Sequence, residues 1–480
     1  MILVHVVVER NTRSVVILSM DNMQNTYLFR KTKEDFIEDI LKEGTYATKE
    51  ELAEVLNELD FVVDEMKDKN DKEVVEHSFE NIFQQYKEEI SSHIDNSGFF
   101  IPGFTTGVRV NNINVKVFGG VRDLKGNPIE NDTMFDIASI TKTFTQVLLY
   151  RLIEENEKRE KEKQIYFDSI VSELHPGFKN LNDITIRDVT TLSITFNTPG
   201  RIDESTTVDK ARECLFNVEA VEKGKYNYND IGTMILKEVM EYVTGSTYEE
   251  LLDRYIIVPL GLKRTMIEVP DNLLCKVTGS PNIDKGRVND SNANALGGFS
   301  GHAGVWASSD DLITFAHSIL NGKLLSKESI TDFYTPNKYE KERARAGVVF
   351  VANEENKKYI PSIGSVFSFA AQGSTRTQVN AELNGGSTIL FNTATFMDEV
   401  KAKEFDCGVR FVDRDGVVYP CYDIRSYLPT EDATAPLSYI NAKTRLKLMF
   451  LERLFQSYDS KHEIRIDREY QVVVENNKII

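Results

Sequence analysis

Strand-forming segments lie on both sides of a long helical block, and this order restricts the fold more than any other feature. Alternating apolar residues in TTGVRV (105–110) and INVKVFGGV (113–121) predict one hairpin. A second is predicted in TRTQVNAELNGGSTILFNT (375–393), with Asn384-Gly385 at its turn. This arrangement favours the α+β class: an antiparallel sheet flanked by helices, with an inserted helical lobe at about 150–330.

Helical periodicity is clear in several segments of this chain. Apolar residues recur on one face in SFENIFQQYKEEISSHI (78–94) and in YNDIGTMILKEVMEYVTG (228–245), where Gly245 stands at the expected C-terminal stop. SSDDLITFAHSILNG (308–322) shows the same helical pattern, with Ser309 or Asp310 near the N-cap and Gly322 after the C-terminal end of the helix.

Changes in composition divide the chain into three parts. We predict an N-terminal appendage (1–75) of two strands and an acidic helix, in which Thr48 and Glu51 form a capping box. The main domain spans 76–400. A C-terminal extension (401–480) holds strands joined at Asp415-Gly416, an amphipathic helix and a closing strand. The appendage is a solvated helical cap or a partner-binding element. The extension covers an edge of the fold or supports a homo-oligomer, and these alternatives stay open.

Charge and apolar patterning exclude several classes of partner. The 480 residues carry a net charge of −18, which argues against nucleic acid and anionic membranes as partners. Residues 1–20 lack the arrangement of a signal peptide, and no stretch is long and apolar enough to span a bilayer, so we expect a cytoplasmic protein. The histidines and cysteines show no metal-ligand spacing. We therefore expect neither a metal nor a cofactor.

Ser139 and Lys142 stand at the start of an apolar helix, in FDIASITKTFTQVLLYRL (135–152). Their spacing puts both side chains on one helix face. The N–H groups at a helix N-terminus favour a developing oxyanion, and a nearby lysine can help to deprotonate a serine. Such a pair also arises often by chance, so an ordinary helix start is the alternative.

Three longer stretches in the same order are similar to the class C β-lactamase family, which includes low-molecular-weight penicillin-binding proteins and bacterial esterases. The first, 132–155, resembles the serine–lysine helix. The second, 224–265, has Tyr228-Asn229-Asp230 where the family has Tyr-x-Asn or Tyr-x-Asp, followed by Pro259-Leu260-Gly261-Leu262. The third, 286–322, resembles the esterase-like branch. The resemblance covers about 80–400 and implies a β-lactamase/penicillin-binding-protein-like fold.

The resemblance also implies roles for individual residues. Ser139 would be the acylated nucleophile, Lys142 would assist its deprotonation, and Tyr228 would be the general base or proton relay. A phenol is a poor base unless its anion is stabilised, which the charge of Lys142 would do. His302, in GGFSGHAG (297–304), falls in a structural turn of the family, and this segment lacks the Gly-Lys-Ser/Thr ending of a phosphate loop.

The third motif departs from the family pattern, which is Lys-Thr-Gly or His-x-Gly on a strand. In FSFAAQGSTRTQVNAEL (367–383) Gly373 matches the glycine, but Ala371 stands at the basic position. Gln372 takes the middle position, and Ser374 would supply the second oxyanion N–H, beside that of Ser139. If the strand continued, Arg376 would share a face with Ser374 and replace the missing charge.

Two further positions also differ from the family. Asp230 stands where penicillin-recognising members have an asparagine, and an ionised aspartate only accepts hydrogen bonds. Asp230 would instead pair with Lys142 and keep it protonated, which makes Tyr228 the better candidate for the base. In TIRDVTTLSITF (185–196), Leu192 replaces a structural histidine, which suggests a reshaped helical region.

These observations predict a serine hydrolase that cleaves a small ester, amide or peptide substrate through an acyl-enzyme. An esterase and a D-amino-acid peptidase or carboxypeptidase are the alternatives within that class. The competing interpretation is a catalytically weak or inactive penicillin-binding-like protein that serves as a binding module. Ala371 and Leu192 support this second interpretation, whereas the retention of Ser139, Lys142 and Tyr228 supports the first.

Overall fold

The computed structural model describes residues 32–59, 71–98, 101–123, 126–276, 278, 286–340, 345–392, 394–396, 409–412, 418–423, 430–475 and 478–479. The two strands predicted in residues 1–30 and the turn predicted at Asp415-Gly416 lie outside these ranges.

The secondary structure follows the predicted alternation of strands and helices. The strands are β1 (Gly103–Val110), β2 (Ile113–Gly120), β3 (Phe135–Asp136), β4 (Ile194–Asn197), β5 (Glu219–Lys223), β6 (Thr265–Met266), β7 (Trp306–Ala307), β8 (Arg345–Ala346), β9 (Val349–Val351), β10 (Phe369–Gln372), β11 (Gln378–Glu382), β12 (Gly385–Asn392), β13 (Ala394–Phe396), β14 (Val409–Val412), β15 (Val418–Asp423), β16 (Ile466–Val472), β17 (Val474–Glu475) and β18 (Lys478–Ile479). The helices are α1 (Lys33–Glu43), α2 (Lys49–Asn57), α3 (Asp71–Asn96), α4 (Thr141–Glu154), α5 (Val171–Leu174), α6 (Ile186–Thr190), α7 (Val208–Phe216), α8 (Ile231–Thr244), α9 (Tyr248–Leu252), α10 (Val258–Leu260), α11 (Ser291–Ala295), α12 (Ser309–Leu320), α13 (Lys327–Phe333) and α14 (Thr430–Tyr458).

The main sheet has eight strands in the order β16-β2-β1-β12-β11-β10-β9-β8. Neighbours are antiparallel except at one edge, where β16 runs parallel to β2. Both predicted hairpins are present: Val110 pairs with Ile113, and Glu382 pairs with Gly385. The prediction of an antiparallel sheet flanked by helices is therefore confirmed, with a parallel strand added at the β16 edge.

Local sequence determines where the lobe helices begin and end. Gly245 ends α8 in the left-handed conformation (φ 69°), and its N–H donates to the Glu241 carbonyl. α12 starts one residue earlier than the sequence predicts, because Ser308 is the N-cap and accepts from the Asp311 N–H. Among the described helices, none combines the length and apolar composition needed to cross a bilayer.

Apolar side chains fill both faces of the sheet. On one face, α4, α8 and α12 pack with strand residues such as Phe369 and Leu390 in a core that extends into the helical lobe. The other face is covered by α3 and α14, together with α1 and α2. The segment before α4, which carries Ser139, therefore lies between the sheet and the lobe.

The helices near both ends of the chain belong to the second of these cores. Phe36 of α1 meets Phe450 of α14 edge to face, with ring centroids 5.3 Å apart. Glu89 of α3 accepts from Lys443 of α14 at 2.8 Å. The division at 75 and 400 stays a prediction, but in the described residues α1, α2, α14 and β16 all pack on the main sheet or extend it.

Candidate active site

The segment that precedes Ser139 adopts an unusual backbone conformation. Ala138 has φ +44°, which is costly for a residue with a Cβ. The carboxylate of Asp136 offsets this cost, because its Oδ1 accepts from the Ala138 N–H at 2.8 Å and its Oδ2 accepts from the Asn289 N–H at 2.7 Å. A 3₁₀ turn (Ala138–Ile140) then leads into α4, and Ser139 is half-buried at this point.

Lys142 lies one turn into α4 and has no exposed side-chain surface. Its Nζ donates to Ser139 Oγ at 2.8 Å, lies 2.8 Å from Asp230 Oδ1 and donates to the His302 carbonyl at 3.3 Å. Burial favours a lower pKa for this ammonium, but its interactions with Tyr228 and Asp230 outweigh burial and raise the pKa. Lys142 is therefore held in its protonated form, as the sequence predicted from Asp230.

Tyr228 and Asp230 are placed by the loop that enters α8. Asn229 Oδ1 accepts from the Gly232 N–H at 2.8 Å and so caps the start of this helix. The ring centroid of Tyr228 lies 5.2 Å from Lys142 Nζ, and 40% of the residue is exposed. Burial alone would raise the pKa of the Asp230 carboxyl, but the charge of Lys142 lowers it. The structure thus brings together Ser139, Lys142, Tyr228 and Asp230.

Leu192 supports this loop from below. It is 1% exposed and has φ +54°, and its carbonyl accepts from the Asn227 N–H at 2.8 Å. The backbone of Leu192 therefore anchors the loop that carries Tyr228, and its buried side chain lies near Gly232 of α8; the reshaping of this region stays a prediction.

A buried histidine and its carboxylate partner adjoin the ion pair. His302 is 1% exposed, with Nδ1 2.8 Å from Ser300 Oγ and Nε2 2.8 Å from Asp290 Oδ1. Burial favours a higher pKa for Asp290, but the hydrogen bond from His302 holds it at about 2. Both ring nitrogens are satisfied, as expected for a structural histidine.

Donor atoms of Asp230, Asp290 and His302 lie within 4.8 Å of one another, a group that could hold a metal ion. The Lys142 ammonium already neutralises Asp230, and a second cation there would be repelled by it. We therefore derive no metal-dependent step from this group.

The third motif does not continue as a strand. β10 ends at Gln372, and Gly373 to Arg376 form a tight turn in which the Arg376 N–H donates to the Gly373 carbonyl at 3.0 Å. Arg376 has φ +63°. The premise that Arg376 and Ser374 share a strand face is wrong, because the chain reverses between them to enter β11.

This turn packs directly against the segment before Ser139. Thr375 Oγ1 donates to the Asp136 carbonyl at 2.7 Å. A Cβ on Gly373 would overlap the Ile137 carbonyl oxygen and Thr377 Oγ1, so only glycine permits this approach. Ser374 is exposed in the turn. The structure therefore places the turn of Gly373 and Ser374 against the segment that leads into Ser139.

The side chains at the basic and middle positions of the third motif, Ala371 and Gln372, lie in different surroundings. Ala371 is 2% exposed and belongs to the core shared with α4. Gln372 is half-buried, and its Nε2 donates to Gln378 Oε1 at 2.9 Å on the neighbouring strand. Neither side chain brings a charge to the site.

Sequence reasoning missed Arg345. Its guanidinium carbon lies 4.8 Å from the ring centroid of Tyr228 and 3.6 Å from that of Phe350. No local signal marks it, because it follows a run of charged residues (338–343) of the kind that usually contacts solvent. Asp136 and Asp290 were also missed: the Asn289 N–H that binds Asp136 is distant in sequence, and no recognised motif links Asp290 to His302.

The chain is similar to known proteins over more than half of its length. The family model described as Beta-lactamase matches residues 79–404. A Salmonella typhimurium protein named as a candidate D-alanyl-D-alanine carboxypeptidase is 27% identical over 301 residues, which cover 52% of this chain and 67% of that protein.

Solved structures show the same fold. EstCE1, a hydrolase with promiscuous acyltransferase activity, superposes with a TM-score of 0.52 at 16% identity, covering 66% of this chain and 94% of that one. A class C beta-lactamase from Rhodobacter sphaeroides gives a TM-score of 0.51 at 20% identity, covering 65% and 94%. The family match spans well over half of the chain, and the chain belongs to the beta-lactamase family of serine hydrolases, which includes esterases and carboxypeptidases.

Proposed function

We propose that this chain cleaves a small ester or amide through an acyl-enzyme on Ser139. One observation carries the proposal: the buried Lys142 ammonium lies 2.8 Å from both Ser139 Oγ and Asp230 Oδ1. A charged lysine with no exposed surface is expensive unless its partners are fixed. Placing it against a serine hydroxyl at the start of a helix suits the activation of that hydroxyl.

In the proposed acylation, Lys142 acts as a fixed positive charge. Because its pKa is raised, it keeps its proton and does not serve as the base. Its charge instead favours the phenolate of Tyr228, which takes the Ser139 proton as Oγ attacks the substrate carbonyl carbon. The backbone N–H groups of Ser139 and Ser374 would donate hydrogen bonds to the oxyanion that forms. Tyr228 would then return the proton to the leaving oxygen or nitrogen, and water would hydrolyse the acyl-enzyme.

The two departures from the family motifs support an uncharged substrate. Asp230 is ionised and engaged with Lys142, so it has no N–H to offer to a substrate amide carbonyl. Ala371 is apolar and cannot hold a substrate carboxylate. We therefore expect short-chain esters to be better substrates than β-lactams. A D-amino-acid peptidase or carboxypeptidase is the second candidate, favoured by the name of the Salmonella typhimurium relative.

A serine-reactive probe tests the proposal. A fluorophosphonate added to purified protein is expected to increase the intact mass by one adduct, and Ser139→Ala is expected to stay unmodified. Failure of fluorophosphonate and fluorescent penicillin probes to label the wild type would favour the binding-module interpretation instead. Rates with nitrocefin and with short-chain nitrophenyl esters then separate the substrates: efficient cleavage of nitrocefin with no cleavage of the esters contradicts the preference for an uncharged ester.

A further inference from the structure

Arg345 begins the outermost strand on the active-site side of the sheet. It pairs with Phe350 of β9, which in turn pairs with Ala370 of β10. Arg345 therefore lies two strands away from β10 and level with the residue next to Ala371. Ala370 and Ala371 point to opposite faces of the sheet, so Arg345 does not share the face of Ala371, and its side chain approaches Tyr228 from the edge of the sheet.

The guanidinium of Arg345 is held in place by apolar and backbone contacts. It stacks 3.6 Å from the Phe350 ring centroid, and its Nη1 donates to the Val348 carbonyl at 3.2 Å. In the described part of the chain, no carboxylate forms an ion pair with it. Its positive charge therefore acts on the ring that lies beside it.

Tyr228 is the ring that lies beside it. The ring centroid of Tyr228 is 4.8 Å from Arg345 Cζ and 5.2 Å from Lys142 Nζ, so two cations from different elements approach one phenol. Both distances fall within the range of cation–π attraction. The charged groups that lie around Tyr228 are Lys142 from α4 and Arg345 from β8, with Asp230 behind Lys142.

We propose that Arg345 is a positioning residue that orients Tyr228 and stabilises its phenolate, and so brings to the site a second cation that the third motif does not supply. This inference rests on the proposed function, because Tyr228 must act as the base for the charge to matter. Lys142 is paired with Asp230, and Arg345 approaches the same ring from a different element of the fold. The site thus obtains its second cation from an edge strand and not from the third motif.

The pH dependence of acylation tests the proposal. We expect Arg345→Gln to shift the acid limb of the second-order labelling rate to higher pH, which lowers the rate near pH 7 about tenfold, within the range of a cation–π contact. The plateau at high pH should stay at the wild-type value, because the phenolate forms there without help. Arg345→Lys should restore most of the shift.

Two matched variants make the result specific. Arg254 is exposed on the lobe and also stacks on a tyrosine, Tyr255, at 6.0 Å, so Arg254→Gln removes an equivalent charge away from the site and should leave the profile unchanged. When Tyr228 is already replaced by phenylalanine, adding Arg345→Gln should cause no further change in the acid limb of the labelling-rate profile.

The outcomes separate the two proposals. Normal labelling of Ser139 with an unshifted limb in Arg345→Gln overturns the role of Arg345 and leaves the proposed function standing. A lower plateau with an unshifted limb indicates a packing role only and also overturns it. Absence of any labelling in the wild type overturns both. Thermal unfolding of each variant confirms that the compared proteins are folded.

Discussion

The Lys142 ammonium and the Asp230 carboxylate form a 2.8 Å ion pair directly beneath the Ser139 hydroxyl. This pair distinguishes the site from one with an asparagine at position 230. It fixes the charge of the lysine, and it removes a hydrogen-bond donor from the place where a substrate amide would lie. The consequences for reactivity and stability can be measured separately.

Asp230→Asn should change the substrate preference. Loss of the carboxylate lets the pKa of Lys142 fall, and the new amide N–H can donate to a substrate carbonyl. We expect the ratio of nitrocefin to nitrophenyl ester turnover to rise about threefold to tenfold, the value of one hydrogen bond. Asp209→Asn, an exposed position in α7, is the control. An unchanged ratio would contradict the role given to Asp230.

Gly373→Ala should impair acylation without unfolding the protein. The added Cβ would overlap the Ile137 carbonyl oxygen and lies 3.2 Å from the Ala138 Cβ, so the turn after β10 must move away from Ser139. Displacements of this size lower rates about a hundredfold. Gly200→Ala is the matched control, because a Cβ there has no neighbour within 4 Å. Equal labelling rates for the two variants would show that the turn has no part in the site.

Asp290 should contribute to stability in mild acid. Its pKa is about 2 in the folded protein, against an ordinary value of 3.8. A carboxyl with a depressed pKa stabilises the fold above its unfolded pKa, and this stabilisation is lost as pH falls toward 2. Between about pH 6 and pH 3, the loss in unfolding free energy should be about 1 kcal/mol smaller in Asp290→Asn than in the wild type.

Urea unfolding at the two pH values measures this difference. Asp168→Asn, in an exposed turn, should behave as the wild type. An Asp290→Asn variant whose stability falls with acid as steeply as that of the wild type would show that the His302 contact does not depress the carboxyl pKa.

Arg445→Met should be among the most destabilising single changes in α14. Arg445 Nη2 lies 3.1 Å from Glu382 Oε2, and the two side chains are 5% and 7% exposed. Removing one partner of such a pair costs about 3–5 kcal/mol. Burial raises the pKa of Glu382, so the folded state favours its protonated form. The variant should therefore lose more stability at high pH than at low pH.

Chemical denaturation measures the stability of Arg445→Met. The double variant Arg445→Met/Glu382→Gln is measured beside it. The double variant should recover most of the loss, because no buried charge is left alone. A double variant as unstable as the single one would mean that packing of the arginine, and not its charge, stabilises α14.

Local patterns predicted much of this molecule. Both hairpins and the stop at Gly245 followed from short segments, because turn residues act over a few residues. The pairing of Lys142 with Asp230 followed from two separate motifs of the resemblance and from their opposite charges. The β-lactamase-type fold followed from three motifs in order.

What the sequence did not predict depends on distant partners. The parallel pairing of β16 with β2 joins strands more than 300 residues apart, and no periodicity in the sequence predicts this pairing. Arg345 follows a charged run that resembles a solvated surface, and its position beside Tyr228 depends on the order of β8, β9 and β10. The turn at Gly373 to Arg376 was missed because alternation beyond it continued the appearance of a strand.

The position of β1 in the sheet has a consequence for how the protein is made. Its second neighbour is β12, and Thr106 Oγ1 donates to the Thr388 carbonyl 282 residues later in the chain. At about 5–20 residues per second, a ribosome needs roughly 15–60 s to supply that partner. During this interval the β1–β2 hairpin has open edges able to pair with other chains. Slower initiation or a holding chaperone should therefore raise the soluble yield more than any change to the finished active site.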